Sequence, residues 1–311
     1  MMPSPKFLLP VLCSSVCLLI SCGSDVDDAP PLVGTVQASS GPAAALYQKA
    51  QAADQAGDAK KAIKLYQKSA DLYPTAQDAP SARFRQAQLL EQRGEQVEAF
   101  DAYSDFLQRY QGSSYYSQAL ARQSAIAKAA TQGDVKSGFI FGSKLDTGKL
   151  VGMLEKVRDS APQANTAPAA QFQIGEVYQS KGKAPEAIAA FRKLTLDWPD
   201  SQQAPEGQYR IGVILVEEAK RGNQDMGNLD RAREAFEDYL SRYPGRARAN
   251  DARQQIAALG SQDVQRSFDV AEFYRRKGDY ESARFYYREV LKKHGSGPLH
   301  DKAQTALQSL Q

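Results

Sequence analysis

Residues 182–199 read GKAPEAIAAFRKLTLDWP, and the positions that organise the stretch are Gly182, Ala187, Phe191 and Pro199. The same phrase with the same internal spacing recurs as Gly57-Ala62-Tyr66-Pro74 and Gly227-Ala232-Phe236-Pro244. Two further copies, Gly94-Ala99-Tyr103 and Gly278-Ala283-Tyr287, keep the first three members, with Gln111 and Gly295 in place of the proline. Repetition at this scale marks a stack of small helical units, none of which can bury its apolar face alone. The expected fold is all-α, a helical solenoid of about five to six helix pairs. Such a stack builds an extended groove for other chains and rarely an active site.

Each unit can be drawn from its punctuation. A first helix (helix A) often opens with proline, at Pro80, Pro168 and Pro205, where a missing N–H is harmless. An aromatic follows four residues later at Phe84, Phe172 and Tyr209, with Tyr47 and Phe268 at the equivalent places of the first and last units. Three positions on come Ala50, Ala87, Gly175, Gly212 and Ala271, small enough for two helices to approach closely. Gly57, Gly94, Gly182, Gly227 and Gly278 suit the left-handed residue that ends helix A. Helix B then presents its Ala and aromatic inward, and Pro stops it.

This arrangement resembles the tetratricopeptide repeat, but with uneven spacing. Pro74 to Gln111 and Pro162 to Pro199 are each 37 residues, whereas Pro199 to Pro244 is 45. That excess falls around Arg221–Met226. Gln111 to Pro162 and Pro244 to Gly295 are each 51. The first of these contains the Gly-rich stretch Gly133–Asp146, read as a loop in a degenerate third unit, roughly 113–163. The second lies within residues 245–267, which hold no proline and read as a lengthened helix. Residues 298–310 supply a last helix to cap the open end.

The N-terminal end is of another kind. Lys6 precedes an apolar run from Phe7 to Ile20, too short to span a bilayer comfortably but suited to the core of a secretory signal. It ends Leu19-Ile20-Ser21-Cys22-Gly23, which resembles a bacterial lipobox. The resemblance implies cleavage between Ser21 and Cys22 and acylation of Cys22 as the lipid anchor. An ordinary signal peptide and an uncut anchor helix are the alternatives. The three cysteines are Cys13, Cys17 and Cys22, so cleavage would leave none free for a disulfide. Gly23 and Ser24 follow without an aspartate, which by resemblance to Gram-negative lipoprotein sorting implies the periplasmic face of the outer membrane. Residues 22–42 then read as the lipidated cysteine and a flexible tether, 43–163 as N-terminal repeats and 164–311 as C-terminal repeats with the cap.

Little in the chain points to chemistry. A formal net charge of +3 gives no electrostatic case for nucleic acid. The two histidines, His294 and His300, read as solvated turn residues, and no metal or other cofactor is expected. No nucleophile, base and orienting group can be assembled, so no catalytic residue is proposed. Adjacent acids such as Glu217-Glu218 do not face one another on a helix. The aromatic row Tyr47, Phe84, Phe172, Tyr209 and Phe268 has two readings, a ladder for a bound peptide or packing between repeats. Tyr66, Tyr103, Phe191, Phe236 and Tyr287 on helix B read as core.

The C-terminal third runs Asp230-Arg-Ala-Arg-Glu-Ala-Phe, Tyr243-Pro244, Asp251-Ala252, then Phe268-Asp-Val-Ala-Glu-Phe-Tyr274 and Gly278-Asp279-Tyr280. Joined to a lipobox, this order resembles the BamD family, the lipoprotein subunit of the outer-membrane β-barrel assembly machine. The resemblance implies that the C-terminal repeats dock the barrel-forming assembly subunit, alongside accessory lipoproteins. It also implies that the N-terminal repeats meet unfolded barrel precursors. The implied docking residues are Arg248, Arg253, Arg266, Tyr274, Arg275 and Arg276; one basic position of the family falls on Gln255 and is not carried over. Another periplasmic repeat lipoprotein, coordinating envelope, pilus, secretin or peptidoglycan assembly, would share the same groove.

Overall fold

A computed structural model of the chain describes residues 37–137, 143–223, 226–293 and 295–310. The lipobox, with Ser21 and Cys22, lies outside the described residues, as does His294. Thirteen α-helices follow one another among the described residues. Six antiparallel pairs are formed by α1 (Gly41–Gln55) and α2 (Ala59–Leu72), α3 (Ala79–Gln92) and α4 (Gln96–Arg109), α5 (Tyr116–Gln132) and α6 (Thr147–Ser160), α7 (Thr166–Ser180) and α8 (Ala184–Asp197), α9 (Ala204–Glu218) and α10 (Met226–Arg242), and α11 (Ala249–Arg276) and α12 (Tyr280–Lys293). The last helix, α13 (Pro298–Ser309), packs on α12 and on α11. Each helix packs on the next in the chain, as a solenoid requires.

The contact that repeats down the stack joins the small residue of helix A to the aromatic of helix B. Ala50, Ala87 and Ala271 are fully buried, as are Tyr103, Phe191, Phe236 and Tyr287. At Gly175 and Gly212 the approach is closer still. A methyl group there would meet the Phe191 ring at 2.5 Å and the Phe236 ring at 2.7 Å respectively. Glycine at these helical positions sacrifices about 1 kcal/mol of propensity to admit a ring that alanine would push out.

The turns obey their chemistry at four of five expected sites. Gly57, Gly94, Gly182 and Gly278 all have φ between 67° and 79° and end their helices. Gly227 does not: it is the second residue of α10. The excess residues of this unit instead prolong helix A, as α9 runs into a π-helical turn, Ala219–Asn223. The Gly-rich stretch 133–146, expected as a loop, is closed by a short antiparallel hairpin of β1 (Lys136–Ser137) and β2 (Ser143–Lys144). Gly133 (φ 84°) ends α5 and Asp146 caps α6 by accepting from the Lys149 N–H at 3.0 Å. The other long interval is a helix, as expected. α11 has 28 residues and is therefore roughly 40 Å long.

Chain entry is more ordered than a tether requires. The Gln37 N–H donates to the Thr75 carbonyl at 2.7 Å, Ser39 Oγ donates to Asp78 Oδ2 at 2.8 Å, and Ser40 caps α1. Residues 37–42 thus belong to the folded body. His300, expected in a turn, lies in the first turn of α13, with its Nδ1 3.3 Å from Asp301 Oδ1.

Polar side chains tie successive units at a fixed offset. Arg85 donates to both oxygens of Asp54, at 2.7 and 3.0 Å. Arg122 donates to Glu91 at 3.0 Å, and Arg210 donates to Gln179 at 3.1 Å. Each link spans 31 residues between neighbouring helices A. The first two acceptors also receive a hydroxyl from their own helix B, Tyr66 to Asp54 at 3.3 Å and Tyr103 to Glu91 at 3.0 Å. Where helix B carries Phe191 and offers no hydroxyl, the acceptor is the neutral Gln179. Arg83, nearly buried, joins three helices by pairing with Asp71 of α2 and with Asp105 of α4 at 2.8 Å. Pairs as exposed as Arg85–Asp54 contribute about 0.2–1 kcal/mol each, so the ladder fixes register more than it stabilises.

The core is continuous in chemistry but divided in space. One cluster runs from Ala43 to Ala190, a second from Ala184 to Leu259, and a third from Val264 to Ala303. α11 contributes to the second with its first half and to the third with its second half.

Two predictions follow from the packing. Phe236→Ala should lower unfolding free energy by about 3–5 kcal/mol through lost burial and a cavity, and Gly212→Ala by about 1–3 kcal/mol through overpacking. Chemical denaturation measures both, and a loss under about 1 kcal/mol for Phe236→Ala would contradict the repeat register. Hydrogen bonds from Arg85 hold the Asp54 carboxyl below its ordinary pKa. A depressed pKa stabilises the folded state above the unfolded value of about 3.9 and loses that stabilisation as pH falls through the folded value. Asp54→Asn should therefore melt lower than the parent at neutral pH, and the difference should close on acidification below about pH 4.

Candidate protein-docking surfaces

The five helix-A aromatics do form a register, and each meets a ring of its own helix B. Tyr47 lies 5.8 Å from Tyr66, Phe84 5.9 Å from Tyr103, Phe172 5.5 Å from Phe191, Tyr209 5.4 Å from Phe236 and Phe268 5.8 Å from Tyr287, centroid to centroid. Their outer faces differ in what covers them. Phe84 is buried and stacked by Tyr115 at 4.8 Å and 9°. The Arg210 guanidinium lies 5.3 Å from the Phe172 ring, and that of Arg248 lies 5.2 Å from Tyr209. Such cation–π contacts add to packing between neighbouring units. Tyr47 and Phe268 remain half-buried at the two ends of the row, and burial raises the Tyr47 hydroxyl pKa. Packing between units covers Phe84 fully, whereas Phe172 and Tyr209 are half-buried like Tyr47 and Phe268.

Phe268 opens on a cleft between α11 and α13. Glu272, Arg275, Asp301, Lys302 and Thr305 are among its lining residues, and the space is about 570 Å³. At its margin Tyr287 donates to Glu272, as does Arg275 at 2.8 Å. The Arg275 hydrogen bond, ahead of the tyrosine, holds the Glu272 carboxyl below its ordinary pKa. Burial and the adjacent Glu272 push the Tyr287 hydroxyl up to about 12.

The six implied docking residues are not one surface. Arg248 is engaged internally, donating to Glu206 at 3.0 Å and to Asp251 at 3.1 Å while covering Tyr209. Those acids raise its pKa, and the side chain stays 45% exposed. Arg253 donates to Asn250, one turn away. Arg266, Tyr274, Arg275 and Arg276 lie together on the second half of α11. There Tyr274 stacks on Tyr286 of α12, with centroids 5.7 Å apart and planes 5° from parallel.

Two residues that the sequence reading passed over share this region. Phe273 is 44% exposed and Phe285 58% exposed. They meet the stacked tyrosines edge-on, Phe273 at 5.4 Å and 77° from Tyr274 and Phe285 at 5.2 Å and 87° from Tyr286. Their positions carried a signal. Phe285 precedes the core residue Tyr287 by two, which on a helix turns it about 160° away from the core. Phe273 follows Phe268 by five and is turned aside by about 140°.

Among the described residues no group of His, Cys, Asp and Glu could hold a metal ion, and no helix is long and apolar enough to cross a membrane.

Comparison with known proteins agrees with this architecture. The profile of a tetratricopeptide repeat family matches residues 47–114, and that of the YfiO outer membrane lipoprotein family matches residues 143–310. No curated protein matches. Solved structures with detectable similarity include MamA from Desulfovibrio magneticus, at 15% identity over 68% of this chain and 99% of its own, with a TM-score of 0.31. The C-terminal part of a repeat protein from Cytophaga hutchinsonii aligns at 14% identity over 85% and 87%, with a TM-score of 0.35. A repeat protein from Parabacteroides merdae aligns at 14% identity over 86% and 98%, with a TM-score of 0.31. At such scores the fold rests on the helix pairs themselves and on the repeat profile. The YfiO match takes in more than half of the 311 residues, including α6 to α13. The chain is a tetratricopeptide-repeat protein of the YfiO family of outer membrane lipoproteins, the BamD family that its C-terminal third resembles.

Proposed function

We propose that this protein is a non-enzymatic scaffold of the outer-membrane β-barrel assembly machinery, binding the barrel-forming assembly subunit and unfolded barrel precursors through repeat surfaces. The observation that carries the reading is the family match over α6 to α13, the part of the stack that holds the long helix and the exposed ring cluster. Tetratricopeptide repeats act as protein-interaction scaffolds, and a rigid stack of paired helices presents side chains at fixed spacing without providing catalytic groups. In this reading the second half of α11, with Arg266, Tyr274, Arg275 and Arg276, faces the assembly subunit. The open end of the aromatic row at Tyr47 is the candidate contact for a precursor. Cys22 carries the lipid, and the body hangs on the periplasmic face of the outer membrane.

Three experiments test this. Cys22→Ala should abolish incorporation of labelled palmitate and move the protein out of the membrane fraction; continued labelling would remove the anchor from the reading. The protein purified from gently solubilised outer membranes should bring with it a β-barrel protein bearing periplasmic repeat domains, and its depletion should lower the level of many barrels. Recovery of a secretin or a peptidoglycan synthase instead would assign the scaffold to another envelope assembly.

A further inference from the structure

One helix of the stack departs from its equivalents in charge. α2 presents Lys60, Lys61, Lys64 and Lys68 to solvent, and none of the four is in an ion pair among the described residues. At a helical step of about 100° they fall, with Leu72, inside an arc of about 120°. Leu72 is 56% exposed and continues the face at its C-terminal end. The positions equivalent to Lys61, Lys64 and Lys68 hold Glu98, Asp101 and Asp105 on α4, and Arg231, Glu234 and Asp238 on α10. The basic face therefore belongs to the first unit and not to the repeat.

The acids of this neighbourhood are engaged elsewhere. Asp71, which falls inside the same arc, pairs with Arg83, and Asp54 pairs with Arg85. Asp58 caps α2 by accepting from the Lys61 N–H at 3.1 Å, and Asp78 accepts from Ser39. On α4, Asp101 pairs with Lys156 at 2.9 Å and Asp105 with Arg109 at 2.7 Å, while Glu98 is exposed. Like charges four residues apart on a helix repel. Lys60, Lys64 and Lys68 thus cost the helix stability and gain nothing within the fold.

We infer that the lysine face of α2 lies on an acidic phospholipid surface. The path of the chain selects this occupant. The N-terminal segment joins the folded body at Gln37, whose N–H donates to the Thr75 carbonyl just beyond Leu72. Between Cys22 and Gln37 there are 15 residue steps, which span at most about 50 Å when fully extended. The inference rests on the reading that Cys22 carries the lipid, because the anchor then keeps this end of the stack near the headgroups. Lysines close to an acidic membrane are attracted to it, and the attraction fades within a Debye length. An exposed leucine at the edge of such a face seats at the headgroup boundary. A second copy of the chain, apposed through the same face, would set lysine against lysine. The acyl chains hold the protein at the membrane, and the lysines fix which side of the first unit faces it.

The test uses the chain from residue 22 onward with Cys22→Ser, which contains the whole described body and carries no lipid. It should float with vesicles of phosphatidylethanolamine and phosphatidylglycerol but not with vesicles of phosphatidylcholine, and rising salt should release it. Changing one lysine of the face to glutamine should weaken binding about fivefold, and changing all four at least about a hundredfold. Lys128→Gln/Lys181→Gln/Lys277→Gln/Lys292→Gln removes the same charge elsewhere and should leave binding near the parent value. Glutamine preserves helix propensity, and a thermal melt matching the parent separates the loss from misfolding. A polarity-sensitive dye on Leu72→Cys should shift to the blue on the acidic vesicles, whereas the same dye on Leu196→Cys, exposed on α8, should not. Absence of vesicle binding, equal binding to neutral vesicles, equal loss in the two quadruple variants, or no shift at residue 72 would overturn the inference. An acidic protein captured through these lysines without vesicle binding would also overturn it and give the face to that partner. Palmitate labelling bears on the anchor and vesicle binding of the unlipidated chain bears on the lysine face, so either can fail alone.

Discussion

One steric constraint recurs through the fold: at the middle of five of the six described pairs, helix A must offer almost nothing so that a ring from helix B can lie against its backbone. Ala50, Ala87 and Ala271 leave just enough room, and Gly175 and Gly212 leave more, with the Phe191 and Phe236 rings moved in accordingly. The separation within each pair follows from this contact. Close-packed interiors transmit such a dimension to their neighbours, so the placement of each helix on the next, and with it the course of the stack, depends on residues with little or no side chain. The helix-A aromatic one turn before the small residue then fills the space between units.

Much of this was legible in the sequence because the restraints are local. A small residue, a left-handed glycine and a buried ring recur at fixed separations, and local spacing sets which face of a helix points inward. The long helix was readable from a stretch without proline, and the third unit from its remnants. Gly227 was misread for a physical reason. The phrase around it is intact, but an insertion can be absorbed by prolonging helix A through a π-turn, which leaves the glycine inside the next helix. The pairing of Lys136–Ser137 with Ser143–Lys144 escaped because strands of two residues carry no periodicity.

The binding surfaces were less legible than the fold. Arg248 is exposed, as a basic anchor should be, and it also pairs with Glu206, distant in sequence. The 31-residue links were likewise hidden, since a charge on a helix gives no sign of whether its partner lies one turn or one repeat away. Phe273 and Phe285 were concealed by the success of the repeat pattern itself. In a chain where nearly every recurrent aromatic is core, an aromatic out of phase is easily counted as one more. The family match over residues 143–310 places the chain among outer membrane lipoproteins, and the choice among its surfaces rests on burial and charge.

The division of the core within α11 has a mechanical meaning. Leu259 closes one cluster and Val264 opens the next, while Gly260 between them touches nothing with its missing side chain. Across these few residues the principal connection is the helix's own ladder of backbone hydrogen bonds, and Lys293 of α12 reaches Asp263 on the far side of the break at 3.0 Å. Load applied to the last helix pair therefore reaches the body of the solenoid chiefly as bending and torsion of a single helical rod. The sixth pair thus joins the body of the solenoid through α11, which packs on both α10 and α12.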